Sequence, residues 1–447
     1  MRAGAHCRAG SLVGALALAL AATASAPPAH ANGRPPVTNG VYFRPGDSTS
    51  IFVRSTFGLL ISRDGGCSFR WTCEQNIGYG GMYDPKYAIG PDGAIFASTF
   101  GGLRVSRDGG CSFTTATAEL PVGAPGRIAD IWVDALDIGP TGEVWVGTAE
   151  SSKPNDIYRS TDGGVTFTAR GMFSPVIWWK SIRVAPSDAQ RVYVGGYQLA
   201  NPAPAAHLVS TANGGESWTP SPLTGVVLGG TPIVNVVAVS PTDPQVVLVA
   251  SVGANGPDGD RMYRSTDGGA TLTEVLATSQ AITDVVFRDA SNVIAVSGAG
   301  SYVSHDGGAT FAPAQPSPHL ACLAKRPDGT LVGCGPNWDP DFMAVGSSTN
   351  GDQWQKIFRF IEMAGPVECP AGTVGHDSCE GMWPGLELQF GVTGPTCGVA
   401  GDPPAEPKSG GGCCDAGGRG PLGGGLLALA TSAWILRRRR ARAGAAA

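Results

Sequence analysis

Residues 106–113 read Ser-Arg-Asp-Gly-Gly-Cys-Ser-Phe, and this octapeptide recurs with changes at six other places in the chain. A carboxylate or carboxamide at the third position can accept hydrogen bonds from the following backbone N–H groups, and Gly-Gly permits the positive φ of a sharp reversal. Each copy therefore predicts a tight turn between two antiparallel strands, and we call these seven segments the repeat turns. Their third positions are Asp64, Asp108, Asp162, Asn213, Asp267, Asp306 and Asn350.

The repeat turns lie 39 to 54 residues apart, and each closes a longer unit of four short β-rich runs. Four strands per unit and seven units predict an all-β fold, a seven-bladed β-propeller of four-stranded blades. We name the strands of a blade A to D in chain order, so that the repeat turns are the C–D turns. The propeller is expected over residues 32–362, with blades near 40–75, 83–117, 133–170, 180–220, 233–277, 282–314 and 319–360.

The repeat turns resemble the Asp-box, or BNR, repeat. With the preceding Pro turn and a Val-Tyr-Val-Gly strand at residues 192–195, the unit resembles propellers of photosystem II assembly factors, sortilin-type receptors and xyloglucan-degrading glycosidases. The resemblance covers about residues 40–360 and implies a fold rather than one function, because these families do unrelated things. Each turn has only one carboxylate beside glycines, too few for a Ca²⁺ loop, so we expect a structural role, no metal and no cofactor.

Composition limits the partners. The chain has 447 residues and a formal net charge of −5, but both of its ends are basic. Without residues 1–26 and the tail from Cys414, the remaining chain holds 23 basic and 35 acidic groups. Such an acidic body disfavours nucleic acid and anionic membrane surfaces as partners. We expect a monomer that contacts a membrane only through its C-terminal segment.

Residues 1–31 are typical of a secretory signal peptide, because Arg2 and Arg8 precede an apolar run that is too short to span a bilayer. Export permits disulfides. Of the 11 cysteines, eight lie outside the signal and the tail, and this even number is consistent with full pairing. None of their spacings is typical of a zinc site.

One disulfide can be predicted from strand register. Cys322 and Cys334 flank a turn centred on Asp328, and a hairpin around that turn places the two cysteines directly opposite each other. Opposed residues of an antiparallel pair lie within disulfide reach. The alternative is a pair of buried free thiols, and the pairing of the other six cysteines stays open.

Loop lengths indicate which face of the propeller binds a ligand. The A–B turns and the repeat turns are short and uniform, whereas the B–C and D–A loops, on the opposite face, vary in length. Variable loops on a rigid scaffold are frequent binding sites, and the alternative is that these side chains only pack the rim. The candidate ligand-binding residues are Tyr83, Asp84, Asp134, Trp178, Trp179, Lys180, Trp338 and Asp339.

The motifs of the chain favour binding over catalysis. A sialidase needs an arginine triad and an Arg-Ile-Pro motif, but Arg44-Pro45 lacks the Ile and aligns with the ordinary A–B turns. A glycoside hydrolase needs two carboxylates at a set separation, and the available candidates are Asp84, Asp134, Asp156, Asp258 and Asp339. We therefore expect no catalytic residues and a binding module for an extracellular glycan or protein, with a xyloglucanase- or sialidase-like glycoside hydrolase as the alternative.

The end of the chain falls into three parts. Residues 363–404 contain Cys369, Cys379 and Cys397 and predict a small disulfide-stapled appendage that can add a strand to an outer blade edge. Residues 405–420 are a Gly- and Pro-containing linker with the pair Cys413 and Cys414. Residues 421–447 combine a short apolar run with an arginine cluster.

This tail resembles the MYXO-CTERM sorting signal of myxobacterial surface proteins. The resemblance implies recognition by a C-terminal sorting and processing machinery, processing near Cys413 and Cys414, and a place on the cell surface or outer membrane of a bacterium, with release after processing as a further outcome. The alternative is a permanent single-pass anchor. In both cases the propeller lies outside the cell, because the arginines hold the end of the apolar run in the cytoplasm.

Overall fold

The computed structural model describes residues 34–315 and 319–397, and these residues form seven blades of four antiparallel strands each, with a fifth strand added to the sheet of the first blade. The sequence therefore predicts the fold class correctly, a seven-bladed β-propeller. Blade 1 comprises β1 (Thr38–Phe43), β2 (Ile51–Ser55), β3 (Gly58–Ser62) and β4 (Phe69–Thr72). Blade 2 comprises β5 (Tyr87–Ile89), β6 (Ile95–Thr99), β7 (Gly102–Ser106) and β8 (Thr114–Thr115). Blade 3 comprises β9 (Val133–Ile138), β10 (Val144–Thr148), β11 (Ile157–Ser160) and β12 (Thr168–Ala169).

Blades 4 to 7 follow the same order. Blade 4 comprises β13 (Trp178–Ala185), β14 (Asp188–Gln198), β15 (Ala205–Thr211) and β16 (Thr219–Pro220), and blade 5 comprises β17 (Val234–Val239), β18 (Val247–Ser251), β19 (Arg261–Ser265) and β20 (Thr273–Ala277). Blade 6 comprises β21 (Ile282–Phe287), β22 (Val293–Ser297), β23 (Gly300–Ser304) and β24 (Ala312–Pro313). Blade 7 comprises β25 (Cys322–Lys325), β26 (Leu331–Cys334), β27 (Val345–Ser348) and β28 (Gln355–Phe358). The remaining elements are the helix α1 (Glu74–Ile77), a 3₁₀ turn (Phe360–Glu362), β29 (Met363–Pro366), a π-helical turn (Gly375–Cys379) and the helix α2 (Glu380–Phe390).

The repeat turns owe their shape to a small hydrogen-bond network. In the second blade, the Ser106 hydroxyl donates to Asp108 Oδ1 at 2.8 Å, and the same oxygen accepts the backbone N–H groups of Cys111 at 3.1 Å and Ser112 at 2.9 Å. The Gly110 N–H donates to Ser106 Oγ at 2.9 Å. The network satisfies backbone donors that a tight turn otherwise leaves without a partner.

Glycine is needed at the two positions after the Asp. Gly109 and Gly110 have φ of 76° and 105°, a region that residues with a Cβ rarely adopt. Asn213 and Asn350 accept the same kind of bonds through Oδ1, which explains why Asn can replace Asp. The last turn keeps a single positive-φ glycine, Gly351 (φ 91°), in agreement with its shorter sequence.

Apolar side chains pack between neighbouring blades rather than inside any one of them. One buried cluster joins blades 3 and 4 through Trp145, Trp179 and Val194, and similar clusters lie between the other neighbouring pairs. A further cluster contains Val53 of blade 1 and Val332 of blade 7, so the ring is closed by packing between its first and last blades. Because every blade buries its faces against two others, the core belongs to the whole ring.

The ring closes without a strand shared between its first and last blades. All four strands of blade 1 and all four of blade 7 are consecutive in the chain. After blade 7 the chain crosses to blade 1, where β29 pairs in parallel with β4. We call residues 363–397 the clasp; they correspond to the part of the expected appendage that the structure describes.

The eight cysteines outside the signal and the tail form four disulfides. Cys322 pairs with Cys334 at a Cα–Cα distance of 4.9 Å, and the two residues are register partners of β25 and β26, as the sequence predicts. The other three disulfides fix the clasp to blades 1 and 2: Cys67–Cys397, Cys73–Cys379 and Cys111–Cys369. This connectivity was open at the level of sequence.

Among the described residues, no helix is both long enough and apolar enough to cross a bilayer. The expected signal peptide at residues 1–31 lies outside the described residues. So do the linker, Cys413, Cys414 and the arginine-rich tail at residues 421–447.

Candidate functional site

The two faces of the propeller differ in the apolar side chains that they expose. We define the loop face as the B–C and D–A loops together with the residues that lead into strand A of each blade. On the opposite face, Val165 of a repeat turn is exposed to 55%. Most large apolar side chains that are exposed among the described residues lie on the loop face: Val37, Met82, Phe100, Val122, Phe173, Leu199, Val227, Leu228, Trp338 and Phe342.

An aromatic cluster occupies the loop face between blades 2 and 3. The Tyr83 and Phe100 ring centroids lie 4.6 Å apart, and those of Phe100 and Trp132 lie 4.8 Å apart. Phe100 lies in the B–C turn of blade 2 and is 54% exposed, so part of its ring is free to contact a ligand. Both ring pairs are tilted, and close contacts between aromatic rings hold the rings in fixed orientations.

Tyr83 is fixed inside this cluster. Its hydroxyl lies 2.9 Å from Ser98 Oγ and donates to the backbone oxygen of Val133 at 3.4 Å. Burial, with the nearby charge of Asp134, raises the pKa of Tyr83 to about 12, so the phenol stays protonated at neutral pH. As a neutral ring in a fixed position, Tyr83 can support a binding surface and is not poised as an acid or a base.

Asp134 lies beneath the cluster and is 1% exposed. Its Oδ1 accepts from Lys86 Nζ at 3.1 Å and its Oδ2 from Lys180 Nζ at 2.7 Å. Lys180 Nζ also lies 6.0 Å from the centroid of the Trp132 ring. Removal from water lowers the pKa of Lys86 to about 8, against the opposing attraction of Asp134. Both carboxylate oxygens therefore serve an ion-pair network that connects the start of blade 2 with strand A of blade 3 and strand A of blade 4.

Trp179 is not a ligand-binding residue, contrary to the sequence interpretation. It is fully buried in the core between blades 3 and 4, because alternate side chains of β13 point into the blade interface. Its neighbour Trp178 is half-buried, and its ring meets that of Tyr197 edge-on at 5.2 Å. Of the two tryptophans, only Trp178 remains a candidate on the loop face.

Both carboxylate oxygens of Asp84 accept hydrogen bonds from residues at the start of blade 1. Arg34 Nη2 donates to its Oδ1 at 2.8 Å, and Asn39 Nδ2 donates to its Oδ2 at 2.8 Å. The Arg34 and Asp84 side chains are each only 13% exposed, so this pair is mostly shielded from solvent. Asp84 thus fastens the residues before β1 to the D–A loop that precedes β5.

Trp338 and Asp339 lie apart from this group, in the B–C loop of blade 7. Trp338 is 45% exposed, and its ring meets Phe360 edge-on at 6.4 Å. Asp339 is exposed. No contact in the described structure joins these two residues to the Tyr83–Phe100–Trp132 cluster, so they mark a second part of the loop face.

Other loop carboxylates hold the backbone in place. Asp156 Oδ1 accepts the N–H groups of Ile157 at 2.7 Å and Met172 at 2.8 Å, which fixes a B–C loop to the following D–A loop. Burial raises the pKa of Asp156, partly offset by these two bonds. Asp260 makes the equivalent bonds in blade 5, to Gly253 and Ile282, each at 2.8 Å. Of the five carboxylates considered for glycoside hydrolysis, only Asp258 and Asp339 are exposed.

The strands nearest the ring axis enclose a cavity of about 500 Å³. We call this cavity the channel. All seven blades contribute to its wall, which includes Arg54, Lys86, Asp137, Lys180, Ser181, Arg183, Asn235, Thr283, Asp284 and Lys325. Since Lys180 lies both in this wall and beside Trp132, the channel wall reaches the aromatic cluster.

Sequence reasoning missed two parts of this arrangement. Phe100 follows Thr99 in a turn that continues with two glycines, and an aromatic residue in such a turn is a signal that could have been used. The channel residues, such as Arg183, cannot be recognised this way, because they lie within ordinary strands. Among the described residues, no three His, Cys, Asp or Glu side chains gather as a metal-binding group.

No known protein-family profile matches the chain, and no curated protein matches it. Solved structures share its fold. An ancestral GH74 enzyme is 15% identical with a TM-score of 0.52, over 73% of this chain and 47% of the enzyme. The GH74 xyloglucanase of Xanthomonas campestris is 15% identical with a TM-score of 0.46, over 71% of this chain and 60% of the enzyme.

PorZ, a surface component of the type-IX secretion system of Porphyromonas gingivalis, is 14% identical with a TM-score of 0.48, over 70% of this chain and 46% of PorZ. The chain thus spans less than two thirds of the length of each of these proteins. At such identities the likeness shows the fold alone, and the class that fold and blade count define is the seven-bladed β-propeller.

Proposed function

We infer that the protein is an extracellular recognition module that binds a glycan or a protein through its loop face. The observation that carries this proposal is the unequal distribution of exposed apolar side chains, which lie mostly on the loop face and include Phe100 of the Tyr83–Phe100–Trp132 cluster. Exposed apolar patches rimmed by polar groups mark interaction sites. Rings held in fixed positions also lose little conformational freedom when a ligand contacts them.

The engagement of the carboxylates supports binding over hydrolysis. A glycoside hydrolase needs one carboxyl group that exchanges a proton with the substrate and a second that attacks or activates water. Asp84 and Asp134 use both of their oxygens in contacts with Arg34, Asn39 and the two lysines. Asp156 holds two backbone N–H groups. These three side chains stabilise the loops rather than serving as free catalytic groups.

The cellular location is part of the same proposal. Four disulfides are typical of an exported protein, since the cytosol keeps thiols reduced. We propose that the signal at residues 1–31 directs export and that the tail, recognised by sorting machinery near Cys413 and Cys414, holds the propeller at the bacterial cell surface as a monomer. A variant in which both cysteines are Ala tests this, because surface retention should be lost while the propeller is still exported.

The function itself is tested with the purified full chain and a panel of polysaccharides and immobilised peptides. Bound ligand and released product are measured in the same incubations. We expect saturable binding without product, and the Phe100→Ser variant should weaken it by about tenfold, as for one central aromatic contact.

Val165→Ser is the matched control, because it removes a similarly exposed apolar side chain from the opposite face. It should leave the affinity unchanged. Released sugar would favour the glycoside hydrolase instead, and equal losses in both variants would contradict the assignment of the loop face.

A further inference from the structure

The channel reverses the charge balance of the protein. Five basic side chains, Arg54, Lys86, Lys180, Arg183 and Lys325, line it against two acidic ones, Asp137 and Asp284. The chain between the signal and the tail has the opposite balance, with acidic groups in excess. A cavity lined mainly by one sign of charge concentrates ligands of the opposite sign, and low-dielectric walls strengthen the effect.

Arg54, Arg183 and Lys325 have no carboxylate partner within ion-pair distance among the described residues, and Lys325 Nζ donates to the Arg288 backbone oxygen at 2.8 Å. Arg183, midway along β13, donates Nη1 to the backbone oxygen of Ile182 at 2.9 Å. Arg54 donates Nε to Asn39 Oδ1 at 2.7 Å and Nη2 to the Asn39 backbone oxygen. Lys86, by contrast, is fully engaged by Asp134 and the Lys180 backbone oxygen. Arg183 is therefore the channel cation with the most hydrogen-bonding capacity to offer an anion.

The two acidic side chains of the channel are mainly structural. Asp137 Oδ2 accepts the N–H of Val184 at 2.8 Å, and Asp284 Oδ2 accepts that of Leu323 at 3.1 Å, each across a blade boundary. Burial raises the pKa of both carboxyl groups, against the attraction of Arg183 in each case. Neither residue forms an ion pair that would neutralise Arg183.

Neutral polar groups complete the wall. Ser181, Asn235 and Thr283 line the same cavity. The Ser181 hydroxyl accepts the Val236 N–H at 2.8 Å and can still donate, and the Thr283 hydroxyl donates to the Val296 backbone oxygen at 3.3 Å and can still accept. A pocket usually orients a small polar ligand through a small number of placed polar groups and a charged residue. The aromatic cluster adjoins the channel wall, since Lys180 of that wall lies beside Trp132 and pairs with Asp134.

We propose that the channel binds an acidic sugar residue, a uronate of an extracellular polysaccharide, with its carboxylate on Arg183 and its hydroxyl groups on Ser181, Asn235 and Thr283. This rests on the proposed function, because the rest of the polysaccharide would lie across the loop face. A guanidinium recognises a carboxylate through two parallel hydrogen bonds, and both ions are stabilised more strongly inside a cavity than in water.

A uronate fits this channel better than the C-terminus of a polypeptide does. Both bring a carboxylate, but a sugar ring also brings hydroxyl groups that can donate to and accept from the polar wall. A polypeptide end would instead place an apolar or extended backbone segment against Ser181, Asn235 and Thr283, and would leave more of their hydrogen-bonding capacity unused. Beside Trp132, the half-exposed Phe100 ring offers a flat surface for the following sugar.

Calorimetry with the purified full chain tests the proposal. The probes are hexagalacturonate, the same hexamer after methyl esterification, and a hexapeptide with a free C-terminus. We expect hexagalacturonate to bind and the ester, which keeps the rings and loses the charges, to bind at least about tenfold more weakly, the usual effect of losing charge-assisted hydrogen bonds. Arg183→Gln should cause a similar loss, and Arg183→Lys a smaller one.

Arg191→Gln is the control, because Arg191 belongs to the same blade but packs on Tyr193 near the opposite face. It should leave hexagalacturonate affinity within about twofold, and each variant is first shown to keep the unfolding temperature of the parent. A second channel variant, Thr283→Val, removes a hydroxyl without changing charge and should weaken binding by about threefold.

The inference is overturned if hexagalacturonate does not bind, if the ester binds equally well, or if Arg183→Gln has no effect in a folded protein. Peptide binding that depends on Arg183 would assign the channel to a polypeptide C-terminus instead. Binding of neutral glycans or of peptides that depends on Phe100 and not on Arg183 would leave the proposed function standing while this inference fails.

Discussion

Asp108 shows what a single side chain contributes to a repeat turn. It accepts two backbone N–H groups and the Ser106 hydroxyl, and its own position in the turn is only partly shielded from solvent. Asp108→Ala leaves those donors without an acceptor, so we expect the free energy of unfolding to fall by about 1–3 kcal/mol. Ligand affinity per folded molecule should not change. Denaturant unfolding and a binding titration on the same preparation check both parts.

Asp108→Asn provides the matched comparison. Asn213 and Asn350 occupy the same position in other blades and accept backbone N–H groups through Oδ1. The Asn variant should therefore lose less stability than the Ala variant. If binding disappeared in either variant while the stability held, the structural role of the turns would be wrong.

The carboxylates of the repeat turns should also make the stability of the fold depend on pH. The backbone N–H of Thr271, its hydroxyl and that of Ser265 lower the pKa of Asp267 to about 2, below the unfolded value of about 3.9. A carboxyl group with a lowered pKa in the folded state stabilises the fold above its unfolded pKa, and this contribution is lost as the pH falls through the folded value. Stability should therefore fall between about pH 4 and pH 2.

Asp267→Asn isolates the share of this one turn. The variant keeps an acceptor at the position and cannot ionise, so its unfolding temperature should depend less steeply on pH in that window than the parent's. Thermal unfolding at pH 2, 3, 4 and 7 measures the difference. An unchanged slope would mean that the Asp267 carboxylate has the same pKa in the folded and unfolded chains.

At the scale of a residue, sequence alone predicts the role of the turn residues well and that of the site residues poorly. Asp and Asn of the repeat turns act through local hydrogen bonds, so a few neighbouring residues predict their role. Trp178 and Trp179 are adjacent and chemically alike, yet one is half-buried and the other is completely buried. That difference depends on which side of β13 meets the neighbouring blade, and on a register irregularity between Trp179 and Ser181 that composition does not reveal.

At the scale of an element, the hairpin of β25 and β26 is the most sharply predictable part. Its register follows from one turn, and the pairing of Cys322 with Cys334 follows from the register. Partners distant in sequence have no such local rule. The contacts of Cys67, Cys73 and Cys111 with the clasp depend on where the chain goes after blade 7, and the strand pairs do not determine that path.

The hairpin disulfide should stabilise its own blade. The Cys322→Ala/Cys334→Ala variant removes a cross-link between residues 12 positions apart. From the chain entropy of such a loop, the free energy of unfolding should fall by about 3 kcal/mol. Faster hydrogen exchange is expected in β25 and β26, because their backbone bonds remain but the cross-link is gone. Exchange in blade 4, which has no disulfide, is the internal reference, and an equal increase there would contradict a local effect.

At the scale of the whole molecule, the closure of the ring is the feature that the clasp controls. Blades 1 to 7 are joined in order by the chain, but the contact between blades 7 and 1 relies on buried side chains such as Val53 and Val332. The clasp continues from blade 7 into the sheet of blade 1 through β29. Its disulfides then cross-link residues that are 258 to 330 positions apart.

We therefore expect the clasp disulfides to protect the contact between blades 7 and 1 above all others. In the Cys67→Ser/Cys73→Ser/Cys111→Ser variant, loss of the first long-range cross-link should lower the free energy of unfolding by about 5 kcal/mol. The other two should contribute less, because cross-links that close the same loop are not additive. Hydrogen exchange should accelerate first in β1, β25 and β26, while the interface of blades 3 and 4 stays protected, because chain continuity still closes that interface. The hairpin variant Cys322→Ala/Cys334→Ala is the control, since it removes a disulfide and leaves the clasp intact; it should accelerate exchange in β25 and β26 and not in β1. Uniform acceleration in all seven blades of the clasp variant would show that the ring opens as one unit and that the clasp has no special role in its closure.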